Sequence, residues 1–177
     1  MWPVTWTAPE VTRHDPPCVA GERESLDSWL EFHRSTLLMK CQGLTGEQLA
    51  RRAVPPSTLS LLGLVRHMAQ VERAWFRRRV AGQAGLGNRY STDESPDGDF
   101  DLADAAGAEA DLAAWAQECD LARAAAAGRS LDDTFVHERT GDVTDLRWVY
   151  THMIEEYARH NGHADLLREQ IDGVTGD

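Results

Sequence analysis

Apolar residues recur at three- and four-residue steps in four long stretches of this 177-residue chain, and nowhere is there a convincing run of strict apolar/polar alternation. That period matches the α-helical turn and not the pleat of a strand, so the chain is confined to an all-α fold. In the first stretch, from Glu22, the stripe is Leu26, Trp29, Leu30, His33, Leu37 and Leu38, and Gly43 supplies a stop. Thr45 and Gln48 have capping-box spacing for a short turn, and Pro55-Pro56-Ser57 resets the direction. The second stretch, about Ser60 to Val80, carries Leu61, Leu64, His67, Met68, Val71, Ala74 and Trp75 on one face. The third, Ala103 to Ala127, offers Leu112, Trp115, Cys119 and Leu121 for packing. The last starts near Thr144 or Asp145, after the turn signal Thr140-Gly141-Asp142, and carries Leu146, Val149, Met153, Tyr157 and Leu167.

Between the second and third stretches, GQAGLGNRYSTDESPDGDFD (82–101) is rich in Gly, Ser and Asp and reads as a long crossover loop. Four long helices and one long crossover predict a four-helix bundle. Residues 1–21 hold four of the seven prolines and have no sustained period, so they read as an irregular N-terminal extension to a bundle domain over 22–173. Trp29, Trp75, Trp115 and Trp148 read as core anchors.

The charge balance narrows the partners. With 29 acids against 18 bases, the net charge of −11 argues against a nucleic-acid groove and against an anionic membrane surface. There is no apolar run of membrane-spanning length and no secretory leader pattern, and the three widely spaced cysteines form neither a disulfide framework nor a thiolate zinc knuckle. A cytoplasmic protein that handles small molecules is the expectation.

Chemistry is concentrated in HMIEEYARHNGHAD (152–165), which holds three of the seven histidines. On a helix, His152, Glu156, His160 and His163 project within about an 80° arc. Glu156 and His163 are separated by about 10 Å along the axis, too far to share one ion. The candidate ligand pairs are therefore His152/Glu156, Glu156/His160 and His160/His163, with Glu156/His160 central. A third ligand must come from another helix, and His67, in the middle of an apolar stripe, is the obvious one. Alone, His67 reads as a hydrogen-bonded core histidine and Glu155-Glu156-Arg159 as a solvated face with weak ion pairs. Together they suggest a His/Glu/His site with an open position, as in catalytic zinc sites or two-His, one-carboxylate iron sites. His163 and Asp165 lie where they can orient ligands or touch a bound molecule. His14, His33 and His137 have no supporting pattern, and there is no phosphate-binding glycine loop or nucleophile elbow.

SLLGLVRHMAQVERAWFRR (60–78), LRWVYTHMIEEYARHNGHADLLRE (146–169) and IDG (171–173) resemble a DinB-like domain family related to the mycothiol-dependent maleylpyruvate isomerases. The resemblance covers roughly Glu22 to Gly173. It implies an up-down-down-up four-helix bundle, often a homodimer, that holds a divalent metal, usually zinc or nickel, through three side chains. Motif for motif, those fall on His67, Glu156 and His160, although many relatives carry histidine at the Glu156 position. His152 stands beside these, and His163, Asp165 and Arg168 belong to the family pattern without being ligands by this mapping. The activity implied is transfer or isomerisation that uses a low-molecular-weight thiol such as mycothiol as co-substrate and a small electrophile as its partner. A metal-bound thiolate or water would then be the reactive group, since an open metal position stabilises the anion. The alternative is a metal- or ligand-binding protein without turnover, serving a stress or interaction role.

Overall fold

The computed structural model describes residues 5–137 and 140–176. Six helices follow one another as α1 (Glu22–Cys41), α2 (Gly46–Ala50), α3 (Leu61–Glu72), α4 (Gly98–Asp101), α5 (Ala108–Ala126) and α6 (Leu146–Asp172). The four long ones, α1, α3, α5 and α6, form the bundle. The protein is all-α in class, with one small hairpin.

Side-chain contacts give the direction of each helix. Arg23 meets Tyr150, His33 meets Asn161 and Lys40 meets Arg168, so α1 and α6 run parallel. Arg66 meets Asp111 and Arg73 meets Glu118, so α3 and α5 also run parallel. His67 lies against His160 while Trp75 lies against Trp148, so α3 is antiparallel to α6. This is the up-down-down-up arrangement. Two parallel neighbours need a connection as long as a helix, which is the physical reason for the long segment between Val80 and Ala108.

The helix ends follow local chemistry. Thr45 and Gln48 make the reciprocal capping box that opens α2. Ser60 caps α3 by accepting from the Gly63 N–H, and Asp145 caps α6 by accepting from the Trp148 N–H. Gly173, at φ 78°, ends α6 in the left-handed conformation that glycine adopts without steric cost.

Four features depart from the sequence expectation. The second helix does reach Val80, but over Arg73–Val80 it widens into a π-helix, with the Ala81 N–H donating to the Phe76 carbonyl five residues back. The third helix begins at Ala108, behind a 3₁₀ turn at Ala105–Gly107 that Asp104 caps. The crossover contains α4. Finally, β1 (Thr134–Val136) and β2 (Val143–Asp145) pair antiparallel, each too short to show alternation in sequence.

Trp115 is the only one of the four expected tryptophan anchors that is buried; Trp75 is half-buried, and Trp29 and Trp148 are 44% and 46% exposed. The core is aliphatic, built on Leu30, Leu37, Leu61, Leu64, Val65, Met68, Leu146, Val149 and Met153. Through it runs a polar network. Arg34 grips Glu72 with two hydrogen bonds of 2.7 and 2.6 Å, and Glu72 Oε1 also accepts from the Tyr157 hydroxyl at 2.8 Å. That hydroxyl in turn accepts from Trp115 Nε1 at 2.9 Å. A fully buried carboxylate is tolerated here because each oxygen has a donor.

Among residues 5–21, Ala8 exchanges backbone hydrogen bonds with Gly43 and Leu44, and Thr7 bridges Thr45. Ala8 is thereby buried against the α1–α2 connection. No helix among the described residues is long and apolar enough to cross a membrane.

Candidate metal centre

The antiparallel pair α3 and α6 brings His67, Glu156 and His160 together. Their ligand atoms all lie within 4.8 Å of one another. His67 and His160 meet edge to face at a centroid distance of 4.7 Å, and His160 Nε2 is 3.5 Å from Glu156 Oε2. At that distance the histidine and the carboxylate face each other without a good hydrogen bond. Two imidazoles with one carboxylate are a donor set that suits a divalent transition-metal ion.

Protonation agrees with that fit. Burial pushes the His160 pKa down to about 4, and the neighbouring His67, His163 and Arg159 push it the same way. The ring is therefore neutral at pH 7, with a lone pair to offer. His67 is oriented by a residue outside the expected set. Its Nδ1 lies 2.8 Å from Oδ2 of the buried Asp99, and its ring stacks on Phe100 at 4.8 Å. With Asp99 accepting, Nδ1 carries the hydrogen and Nε2 is left as the ligand atom, the usual carboxylate–histidine arrangement at a metal.

Asp99 is held in turn. Arg66, next to His67 in sequence, donates to the carbonyls of Gly98 and Asp99 at 2.9 Å each and pairs with Asp111 at 3.0 Å. Gly63, one turn before His67, makes room for α4: a Cβ there would lie 3.2 Å from the Phe100 ring. The sequence signal was one aspartate in a loop segment that also holds Asp93, Asp97 and Asp101, which spacing cannot separate.

The other expected residues divide into two groups. His152 and His163 join the cluster. His152 Nε2 sits 3.5 Å from Glu156 Oε1, and its ring stacks on Trp148 at 4.9 Å while Trp75 meets it edge-on at 4.6 Å. His163 Nδ1 is 3.3 Å from His160 Nδ1. His152, Glu155 and Glu156 also form a second set of close donor atoms, but Glu155 is exposed and paired with Arg159. Asp165 and Arg168 face α1 instead. Asp165 pairs with Lys40 at 2.7 Å, and Arg168 donates to the Lys40 and Gln42 carbonyls at 3.1 and 2.9 Å, closing the end of α1.

The mycothiol-S-transferase family model matches residues 25–173, most of the chain and all of these side chains. The chain belongs to the mycothiol-S-transferase family. No curated protein matches it. Family membership supports a mycothiol S-transferase-like function with a small-molecule thiol as partner, and the His/Glu cluster lies inside the matched span.

Proposed function

We propose that this protein is a divalent-metal-dependent mycothiol S-transferase acting on a small electrophile, with His67, Glu156 and His160 as ligands to zinc or nickel. The observation that carries the reading is the convergence of those three donors from two helices, with His67 locked in one tautomer by Asp99. A divalent ion with an open position supplies stabilisation of the thiol's anionic form at neutral pH.

The chain's own residues do the rest. His160 is neutral at pH 7, so no proton competes for its lone pair. Glu156 brings one negative charge to offset the cation. Asp99 and Arg66 fix the His67 ring, and the aliphatic core beneath keeps α3 and α6 in register. In the transfer, the thiol gives up its proton to water, its sulfur forms a bond to an electrophilic carbon, and any leaving group departs with the bonding pair.

The test compares metal-loaded and chelator-treated protein for formation of the mycothiol conjugate of a halogenated bimane. Conjugation should require metal and should be lost in His67→Ala. Metal-loaded protein that never consumes mycothiol across a panel of electrophiles would instead favour a binding protein without turnover.

A further inference from the structure

The face of α6 that carries the proposed ligands continues past them toward the N-terminal end of the helix. Trp148, His152, Glu156 and His160 follow one another at four-residue steps along α6, so they line one face. Beyond His152 lies a pocket of about 390 Å³ lined by Trp75, Arg79, His137, Thr140, Asp142, Thr144 and Trp148. One wall is aromatic: Trp75 and Trp148 lie 5.0 Å apart, and the Arg79 guanidinium sits 3.4 Å over the Trp75 ring. Trp148 packs one face on His152 and keeps 46% of its surface exposed. The opposite wall, from the β1–β2 hairpin, is polar.

The donors and acceptors on that wall are set. Thr140 directs its hydroxyl to Asp142, and its backbone N–H donates to His137 Nδ1 at 3.1 Å. His137 therefore carries its own hydrogen on Nε2. A carboxylate has about four lone-pair sites, so Asp142 retains acceptor capacity after binding Thr140. The wall thus offers a carboxylate acceptor, an imidazole N–H donor and two threonine hydroxyls across from indole faces. Among the described lining residues, one guanidinium stands against one carboxylate, a balance that favours no strongly charged ligand. An aromatic platform faced by a carboxylate and mixed hydroxyls suits a ring that carries several hydroxyl groups: its C–H face lies on the indole and its hydroxyls pair with the polar wall.

We infer that this pocket binds the polyhydroxylated body of the thiol co-substrate while the sulfur reaches the metal ligands. Trp148 and Glu156 are eight residues apart, about 12 Å along the helix, so the ligand must be elongated. A thiol carried on a glucosamine–inositol body, as in mycothiol, meets that requirement. The inference rests on the thiol-transferase reading for the metal end, but the pocket is tested separately from it.

The variants are Asp142→Asn and Trp148→Ala, both at exposed side chains outside the buried core. In the metal-loaded enzyme, the preference for mycothiol over N-acetylcysteine, taken as the ratio of kcat/KM values, should fall about tenfold in each variant, the effect of one lost charge-assisted bond or stacking contact. The second arm is calorimetric titration of the full chain with thiol-free glucosaminyl-inositol. The wild type should bind it and both variants should bind it at least about tenfold more weakly. An unchanged preference in both variants, with the wild type active on mycothiol, overturns the pocket and leaves the transferase reading standing. If the wild type is inactive on both thiols but binds the thiol-free ligand through these residues, the transferase reading fails and the pocket stands. No binding of glucosaminyl-inositol to the wild type overturns the pocket.

Discussion

Asp99 holds His67: the carboxylate Oδ2 lies 2.8 Å from Nδ1, on a short helix that Arg66 ties to α3 through two carbonyls. Two elements far apart in sequence are thereby made to agree on one imidazole tautomer. Removing such a partner from a metal-bound histidine costs about 10- to 100-fold in affinity. Asp99→Ala should weaken metal binding by that factor while leaving the helical signal intact. A competition titration against a chelator of known affinity measures it, and an unaltered affinity would mean that Asp99 serves only to pack α4.

The proposed ligands themselves should separate by chemistry. His67→Ala and His160→Ala should each lose stoichiometric metal by elemental analysis and stay folded, because the core network around Glu72 does not involve either ring. Glu156→Gln should bind more weakly than wild type but better than either alanine variant, since an amide oxygen still coordinates without its charge. Full metal content in either histidine variant would reassign that position, with His152 and His163 as the nearest replacements.

The sequence made the bundle and its donor-rich faces legible through helical periodicity, which says which residues share a face. Faces alone singled out His67 and left three candidate pairs on α6, from which the family resemblance selected Glu156 and His160. Arg168 was open to the same reasoning: it lies 80° round the helix from His160, and it turns to α1. Trp148 is four residues before His152, so its place was also on the site face and not in the core. Asp99 was not legible, because its position depends on the close approach at Gly63 and on Arg66 gripping carbonyls. The hairpin was hidden for a different reason: two three-residue strands carry too few positions for a period to appear.

Tyr157 sits next to Glu156 in sequence but turns into the core, where it links Trp115 to Glu72. Tyr157→Phe removes the hydroxyl and leaves the Trp115 N–H unpaired and Glu72 Oε1 with fewer donors. Leaving a buried donor unsatisfied costs about 1–3 kcal/mol. The urea midpoint should fall accordingly, while metal stoichiometry stays at the wild-type value. Loss of metal with an unmoved midpoint would mean that Tyr157 supports the metal face and not the core network.

The protein's own thiols should stay out of thiol chemistry. Cys41 is buried, and burial pushes its pKa up to about 12. Cys119 is raised well above the usual thiol range, first by burial and then by the neighbouring Glu72 carboxylate. Only the thiolate reacts with alkylating agents, so both should be inert in the native state, whereas Cys18 is exposed. Treatment with iodoacetamide at pH 8 followed by intact mass measurement should show one adduct on the native protein and three after denaturation, in line with three cysteines in the chain. Rapid addition of a second label under native conditions would show that α1 or α5 opens to solvent. The tight packing assigned to Leu37, Cys41, Ala122 and their neighbours could not then hold.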